Sequence, residues 1–267
     1  MILLNGVSAD SIGLTDRSFQ YGDGCFTTML TRHGVIEHWP MHIERMNACL
    51  EVLQITKPDW TLVHQWLLRV AQPAPKAGLK LHISRGEGGR GYSPTQVTSP
   101  NVTISDFNYP AHYEQWRCKG VALGVCDARL GHNPLLAGHK HNNRLEQVML
   151  KAEMEQRGFE DGLALDLDGR VIETTMANLF WVNDQTLYTP DLSRCGVAGV
   201  MRRVVLKVAE QHGILVNVGD YHLSEVMNAD EVFIVNSLLG VAPIRRIEQN
   251  NFDIGTITTR IQELIAS

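Results

Sequence analysis

The sequence predicts an α/β protein with two domains. Its 267 residues exceed the usual size of a single domain. Apolar residues make up 44% of the chain and charged residues 20%, which is enough apolar material for a packed core. Runs rich in β-branched and aromatic residues alternate along the chain with segments of helical period. We expect an N-terminal domain at residues 1–109, a linker at 110–118 and a C-terminal domain at 119–267.

The composition argues against several classes of function. A net charge of −5 gives no basic surface for nucleic acid or for an anionic membrane. The apolar runs are shorter than a membrane span, and residues 1–6 lack the basic start of a signal peptide. The five cysteines form no Cys-x-x-Cys pair, which is typical of reduced thiols in a cytoplasmic protein. No histidine and cysteine cluster has zinc spacing, since His139 and His141 would point to opposite sides of an extended segment, so we expect no metal.

The N-terminal domain begins with a predicted β-meander over residues 1–40. Within it, Cys25–Thr31 has the β-branched and aromatic content of a strand. Apolar residues at helical spacing then predict a helix over Trp39–Leu53, with Arg45 beside the apolar stripe. The remaining predicted elements of this domain are a helix over Trp60–Ala71 and strands over Leu79–Ser84 and Asn101–Phe107.

Residues 85–92, Arg-Gly-Glu-Gly-Gly-Arg-Gly-Tyr, are predicted to form a loop with four glycines. Glycine permits positive φ angles and a close approach of the backbone to a ligand. The loop lacks the Gly-Lys-Ser/Thr of a phosphate-binding loop. Two interpretations stay open: a mobile active-site loop that carries Arg90, and a plain surface loop.

Lys140 lies in an unusual setting for a lysine. It follows the loop Asn133–Gly138, precedes a predicted helix, and has histidine, asparagine and arginine as neighbours. Partial burial near other cations favours the neutral amine, which is the form that reacts with an aldehyde. A solvated surface lysine is the alternative, and it is the commoner case.

The helix after Lys140 is predicted over Arg144–Arg157. Asn143 and Glu146 have the spacing of a capping box, and Gly158 provides a C-terminal stop. The apolar residues at i, i+3, i+4 and i+7 spacing that predict this helix are Leu145, Val148, Met149 and Ala152.

The predicted C-terminal domain continues with strands, helices and short turns. Asp168-Gly169 and Asn183-Asp184 have the composition of hairpin turns. The remaining predicted elements are strands over Gly120–Cys126, Ile214–Val218 and Glu231–Val235, and helices from the Gly196 loop to His212, over Leu223–Ala229 and over Gly255–Ala266.

Glu173 is predicted to lie within a strand, on the same side as Val171 and Thr175. A carboxylate on the apolar side of a sheet is costly unless it has a cationic or proton-sharing partner. The alternative is a structural glutamate that forms a salt bridge at the edge of the sheet.

Two turns have the composition of an anion site. The glycine loop at 196–199 leads into a helix, and free N–H groups at a helix N-terminus suit a phosphate. Asn236-Ser237-Leu238 is a second small polar turn after a strand. A simple chain reversal is the commoner meaning of such turns.

Together, these features resemble the branched-chain and D-amino-acid transaminase family of pyridoxal-phosphate enzymes, fold type IV. The stretches that carry the resemblance are Tyr21–Phe26, His42–Met46, Lys140–Leu145, Glu173–Phe180, Gly199–Arg202 and Asp230–Ser237. The resemblance implies a smaller N-terminal and a larger C-terminal α/β domain, with pyridoxal 5′-phosphate between them in a homodimer.

The resemblance also implies a role for each matching residue. Lys140 would bond to the cofactor aldehyde and move the proton, and Glu173 would pair with the pyridine nitrogen. Residues expected to hold the phosphate are Arg45, Val200, Met201, Asn236 and Ser237. Residues expected to contact a small-molecule substrate are Arg90, Tyr92 and Thr28, with Arg90 as the partner of a carboxylate.

Further stretches are similar to the lyase members of this family, which act in folate synthesis. These stretches are Asp23–Thr28, Arg85–Ser93, Tyr109–Tyr113 and Arg129–Pro134. Thr174 follows Glu173 where the transaminases usually have glycine, so a transaminase is the weaker alternative. A non-catalytic module on the same fold is a further alternative, although it would be expected to lack Lys140 or Glu173.

Overall fold

The computed structural model describes residues 1–97 and 99–266. It contains two compact units. The first unit consists of Met1–Tyr109 and His139–Arg144, and the second consists of Pro110–Gly138 and the chain from Leu145 onward. The mixed α/β character with two domains that the sequence predicted is confirmed. Within the described residues, no helix has both the length and the apolarity that a membrane span requires.

The first unit has a six-stranded sheet in the order β2-β1-β6-β5-β3-β4, in which every pair is antiparallel. Its core lies between the sheet and two helices, and it includes Met29, Leu50, Leu67 and Ile83. The elements of this unit are β1 Ile2–Leu4, β2 Val7–Ser8, α1 Arg17–Tyr21, β3 Gly24–Arg32, β4 Val35–Ile36, α2 Trp39–Val52, α3 Trp60–Val70, β5 Ala77–Ser84 and β6 Asn101–Asn108.

The second unit has a nine-stranded mixed sheet in the order β12-β11-β10-β13-β14-β7-β8-β9, with β15 paired to β14. Its β7 lies parallel to both β8 and β14, whereas β8 and β9 form a hairpin. The elements of this unit are α4 His112–Lys119, β7 Val121–Leu130, α5 Leu145–Gln156, β8 Asp161–Asp166, β9 Val171–Thr174, β10 Asn178–Asn183, β11 Thr186–Pro190, α6 Val200–Gln211, β12 Val216–Gly219, α7 Leu223–Met227, β13 Glu231–Asn236, β14 Gly240–Ile247, β15 Asn250–Asn251 and α8 Thr256–Ala266.

The boundaries of the units differ from the predicted ones at two places. Residues 139–144, which the sequence placed in the C-terminal domain, belong to the first unit. They do so because the backbone N–H of Phe26 donates to the carbonyl of Lys140, and that of Asn142 donates to Gly24. The predicted linker at 110–118 is largely helical, since α4 covers His112–Lys119.

Two local predictions are wrong. The segment around Arg17 is a short helix rather than part of a meander, and the Asp16 side chain caps it by accepting from the N–H groups of Ser18 and Phe19. The predicted capping box before α5 does not form. Instead, Glu146 accepts from the N–H of Gly131 at 3.0 Å, and the Asn143 side chain donates to the carbonyl of Gly22.

Helix α5 exposes the residues whose spacing predicted it. Leu145 is 71% exposed, and Val148 and Met149 are each 61% exposed. The side chains that α5 buries are those of Leu150 and Met154, which belong to a core cluster with residues of β7 and β8. An apolar stripe therefore remains on the surface of this chain.

Candidate active site

The structure places the predicted site residues in both units. Those in the first unit are Lys140, Arg45, Thr28, Arg90 and Tyr92. Those in the second unit are Glu173, Val200, Met201, Asn236 and Ser237.

Lys140 lies in an irregular segment next to the first residues of β3. An isolated antiparallel bridge joins Cys25 to His141. The N–H of Phe26 donates to the carbonyl of Lys140 at 3.1 Å, which fixes the backbone on which the lysine stands. The Lys140 Nζ lies 4.6 Å from the centre of the Phe26 ring, a favourable position for an ammonium group. The lysine is half-buried, so its amine combines a fixed backbone with access from outside.

The histidines beside Lys140 carry little positive charge at neutral pH. Burial, with smaller contributions from Arg144, His139 and Lys140, lowers the pKa of His141 to about 4. Burial also lowers the pKa of His139 below its usual value. Cations close to an imidazole disfavour its protonated form, and uncharged imidazoles in turn limit the positive charge around the amine.

Asn142 anchors the segment two residues after Lys140. Its Nδ2 donates to Ser18 Oγ at 2.7 Å and lies 2.8 Å from His82 Nε2. Burial, and to a smaller extent the charge of Lys80, lowers the pKa of His82 to about 4. An uncharged His82 keeps an acceptor nitrogen for Asn142. Sequence reasoning did not identify Ser18 or His82 as partners of Asn142. Ser18 lies more than a hundred residues from Asn142 along the chain and His82 lies sixty, and no local pattern indicates contacts over such separations.

Arg45 is tethered to β3 by Thr27. The Arg45 guanidinium donates to Thr27 Oγ1 at 2.6 Å, and the same hydroxyl lies 2.6 Å from His42 Nδ1. Thr27 and His42 are buried, whereas Arg45 is only half-buried. The position of the guanidinium is therefore defined by two buried groups of its own unit.

The predicted substrate residues of the first unit are more accessible. Thr28 is half-buried on β3, where it pairs with Lys80 of β5. Arg90 and Tyr92 lie in the exposed glycine loop, and Tyr92 is 88% exposed. The edge of the Tyr92 ring packs on Tyr21 with 5.6 Å between the ring centres.

Glu173 is buried on β9, with 5% of its surface exposed. Its Oε2 accepts from the N–H of Val197 at 2.9 Å. Gly196 has φ +84°, and a Cβ at this position would lie 2.7 Å from Ile172 and 3.5 Å from the carboxyl carbon of Glu173. Glycine is required here because a side chain would press against the strand that carries the carboxylate.

Asn178 links the loop after Gly196 to the start of α6. Its Nδ2 donates to the carbonyl of Val197 at 2.8 Å, and its Oδ1 accepts from the N–H of Gly199 at 3.1 Å. Gly199 is the N-cap residue of α6 and provides no side-chain cap. Val200 and Met201, the first two residues of the helix, are therefore held relative to Glu173 within the second unit. The sequence motif contains Asn178, but its spacing did not reveal this bridging role.

Asn236 organises its own turn. Its Oδ1 accepts from the N–H groups of Leu238 at 3.0 Å and Leu239 at 2.8 Å. Its Nδ2 donates to the carbonyl of Met176 at 3.5 Å. Asn178 pairs with Val235 in the sheet, so the Asn236 turn and the Asn178 bridge lie at neighbouring positions of adjacent strands. Ser237 is half-buried in the same turn.

Three further side chains have the composition of a cation site, which the sequence did not predict. In the described part of the chain, ligand atoms of His132, Asp166 and Asp168 lie within 4.8 Å of one another. His132 Nε2 is 3.0 Å from an Asp166 oxygen, and Asp168 forms an ion pair with Arg194 at 3.0 Å. Each of the three side chains therefore has a polar partner within the chain.

Comparisons with known proteins agree with the resemblance. The family model for amino-transferase class IV matches residues 24–247. An aminodeoxychorismate lyase of Vibrio harveyi is 53% identical over 98% of both chains. The crystal structure of 4-amino-4-deoxychorismate lyase from Pseudomonas aeruginosa is 38% identical, with a TM-score of 0.94 over 99% of this chain and 98% of that one. The Escherichia coli branched-chain amino acid aminotransferase shares the fold, with 22% identity and a TM-score of 0.87 over 98% and 92% of the two chains.

Proposed function

The chain belongs to the class IV aminotransferase family, and we propose that it catalyses the aminodeoxychorismate lyase reaction. In this reaction 4-amino-4-deoxychorismate gives 4-aminobenzoate and pyruvate, a step of folate biosynthesis. The observation that carries the proposal is the 53% identity to a lyase over 98% of both chains. The structural likeness to a second lyase, over 99% of this chain, supports it.

Each unit offers polar groups that suit a part of pyridoxal 5′-phosphate. They comprise the Lys140 amine, the buried Glu173 carboxylate, the Arg45 guanidinium and the N–H groups at the start of α6. The amine suits the aldehyde, the carboxylate suits a protonated ring nitrogen, and the guanidinium and the N–H groups suit the phosphate. When bound, the cofactor supplies the electron sink that the reaction needs.

Lys140 would hold the cofactor through its aldehyde and would also serve as the base of the reaction. As a free amine, Lys140 would take the proton from the substrate carbon that bears the amino nitrogen. The hydrogen bond from Phe26 fixes the lysine backbone, so only the side chain has to move between its two tasks.

Glu173 is proposed to pair with the protonated pyridine nitrogen. The N–H of Val197, 2.9 Å from Oε2, stabilises the ionised carboxylate. A negative charge at this position keeps the nitrogen protonated, and a rigid strand keeps the charge in place. Loss of the proton and of the enolpyruvyl group from the neighbouring carbon leaves an aromatic ring, which drives the reaction forward.

The phosphate is proposed to bind Arg45, the N–H groups of Val200 and Met201, and the Asn236-Ser237 turn. A helix N-terminus attracts an anion through its free N–H groups and its dipole. Asn178 and Asn236 would keep these N–H groups in place, since the side chain of each forms hydrogen bonds with the backbone of a turn. For the substrate we propose contacts with Arg90, Tyr92 and Thr28, with Arg90 binding a carboxylate.

We further propose that the enzyme is a cytoplasmic homodimer. The exposed stripe of Leu145, Val148 and Met149 on α5 is an apolar surface of the kind that a second copy covers. The cysteines of the described chain are free thiols, as expected in a reducing compartment. Sedimentation should give twice the mass of one chain, and Val148→Asp should shift the protein toward the monomer; an unchanged dimer would exclude this face.

Product analysis tests the proposed reaction. The purified protein should be yellow with bound cofactor, and aminodeoxychorismate should yield pyruvate in a lactate dehydrogenase assay and 4-aminobenzoate by chromatography. A protein that binds the cofactor but releases neither product would refute the lyase assignment.

A further inference from the structure

Arg17 is buried, with 3% of its surface exposed, although it begins a helix of only five residues. A buried arginine must be neutralised and must have its donors satisfied. Asp23 provides the charge, since its Oδ2 lies 2.8 Å from Arg17 Nε. Burial tends to raise the pKa of Asp23, but hydrogen bonds from Arg85 and Arg17 outweigh it and hold the pKa below its ordinary value.

The remaining donors of Arg17 point into the glycine loop of residues 85–92 and to Ser93, which follows it. Its two terminal nitrogens donate to four backbone carbonyls, those of Gly88 at 3.4 Å, Gly91 at 3.1 Å, Tyr92 at 3.1 Å and Ser93 at 3.3 Å. The backbone N–H of Arg17 donates to a further carbonyl of the loop, that of Gly86, at 2.9 Å. The loop is thus wrapped around one guanidinium group.

The glycines make this wrapping possible. Gly86, Gly88, Gly89 and Gly91 all have positive φ, between +56° and +109°. A Cβ at Gly89 would lie 3.0 Å from an Arg17 nitrogen. The close approach that the glycines permit is therefore made to an internal cation of the chain, and this observation explains why so many glycines occur in one loop.

The same loop carries Arg90 and Tyr92, whose side chains face outward. Arg17 also lies 5.0 Å from the centre of the Tyr21 ring, on which Tyr92 packs. Arg90 and Tyr92 therefore depend on Arg17 for their position, Arg90 through the backbone and Tyr92 through the backbone and Tyr21.

We propose that Arg17 is a positioning residue that holds the glycine loop in the conformation in which Arg90 and Tyr92 bind substrate. The substrate part of this inference rests on the proposed function, whereas the part that concerns the loop does not. Lysine cannot replace Arg17, because one ammonium group cannot reach carbonyls spread over the plane of a guanidinium.

Arg17→Lys and Arg85→Lys provide a matched pair for the test. Arg85 shares Asp23 with Arg17, but its other bonds go to the carbonyls of Leu53 and Gln54, outside the loop. Native-state cleavage by trypsin after Arg90, followed by mass spectrometry, measures how firmly the loop is held without any need for catalysis. The Michaelis constant and kcat for aminodeoxychorismate, with the absorbance of the bound cofactor, measure the consequence.

For Arg17→Lys we expect faster cleavage after Arg90 and a rise in KM of about tenfold, equivalent to about 1.4 kcal/mol. The cofactor spectrum should stay that of the parent, and kcat should change much less than KM. Arg85→Lys should be cleaved after Arg90 at the parent rate. Unchanged cleavage in Arg17→Lys, or equal acceleration in both variants, would overturn the proposal.

Two further outcomes are also decisive. If the parent releases no pyruvate, the proposed function fails, and the rate of cleavage still decides whether Arg17 holds the loop. If Arg17→Lys does not fold, hydrogen exchange of the parent protein is measured instead of cleavage of the variant. Protection of the Ser93 amide, which donates to the carbonyl of Arg90 at 3.1 Å, supports a fixed loop, and exchange at the rate of an unstructured peptide overturns it.

Discussion

Glu173 and Glu231 are two buried glutamates on strands of the second unit, and each accepts backbone hydrogen bonds near the start of a helix, but at different positions. They are 5% and 7% exposed. Glu231 places both oxygens on the first turn of α8, accepting from the N–H of Ile257 at 3.1 Å and from that of Thr258 at 2.7 Å. Glu173 accepts from Val197, three residues before α6 begins.

The difference concerns which anion occupies the helix N-terminus. In α8 the carboxylate of Glu231 is that anion, so the chain itself satisfies the N–H groups. In α6 the N-cap is Gly199, which has no side chain for this purpose. Burial is alike at the two glutamates. The two glutamates therefore differ in where their hydrogen bonds lie relative to the helix, and the proposed anion site is at the helix whose N–H groups the glutamate does not take.

The largest loss of turnover is expected at Lys140, for which Lys151 provides a structural lysine as the comparison. Lys151 donates to the carbonyl of Glu160 at 2.7 Å and lies near Glu155, so its role in α5 is structural. Lys140→Ala should lower turnover at least about a thousandfold while weak cofactor binding persists, whereas Lys151→Ala should stay active. Borohydride reduction and peptide mapping check this assignment. Cofactor fixed to Lys151 would contradict it.

The two glutamates should respond to the same substitution in opposite ways. Glu173→Gln can keep the bond from Val197 through its carbonyl oxygen, but the amide no longer stabilises a protonated ring nitrogen. We expect turnover to fall roughly tenfold to a hundredfold, from an interaction of about 1.5–3 kcal/mol, with little change in the melting temperature.

Glu231→Gln should instead leave turnover per folded molecule intact. An amide group there turns a donor toward the N–H groups of α8, which should lower the free energy of unfolding by about 1–3 kcal/mol. Thermal unfolding and steady-state kinetics on both variants separate the two roles. If both substitutions cost stability and neither costs turnover, Glu173 is a structural carboxylate.

Arg45→Ala should weaken cofactor binding more than it slows chemistry at saturating cofactor. Loss of a charge-assisted contact with phosphate corresponds to about 1.5–3 kcal/mol, or roughly tenfold to a hundredfold in the dissociation constant. Arg69→Ala is the control, because Arg69 is exposed and donates to the carbonyl of Gly6. Titration of the cofactor-free protein measures the effect, and equal affinity in both variants would place the phosphate elsewhere.

The smallest change in cofactor affinity is expected when a single backbone N–H group at the start of α6 is removed. Proline is tolerated in the first turn of a helix, so Val200→Pro should keep α6 and raise the cofactor dissociation constant by roughly fivefold, or about 1 kcal/mol. Ile257→Pro in α8 should lower stability and leave cofactor affinity unchanged, because its N–H serves Glu231. The comparison between the two helices fails if the variants cannot be distinguished by cofactor titration.

Much of the local structure could be predicted because its periodic patterns are strong. The predicted helices Trp39–Leu53 and Trp60–Ala71 differ from α2 and α3 by one residue at one end. The predicted hairpin at Asp168-Gly169 forms between β8 and β9. The five-residue α1 is too short to show a helical period, and its Phe19 and Tyr21 favour a strand by composition.

The partners of these elements could not be predicted, because they depend on contacts between distant parts of the chain. The spacing of Leu145, Val148 and Met149 indicated a helix correctly, but spacing does not determine whether that face meets the core or the solvent. Lys140 and Glu173 stood out as candidates from their own surroundings, and their predicted roles came from the family resemblance. The bonds of Asn142 with His82, and those of Arg17 with the glycine loop, join segments separated by sixty or more residues.

The number of turnovers without a keto acid tests the central claim most directly. A lyase expels its leaving group and restores its starting form in every cycle, whereas a transaminase stops after one equivalent until a keto acid arrives. We predict that aminodeoxychorismate alone gives pyruvate and 4-aminobenzoate in equal amounts over many turnovers. Turnover that stops after one equivalent and resumes only when 2-oxoglutarate is added would contradict the lyase assignment and establish a transaminase.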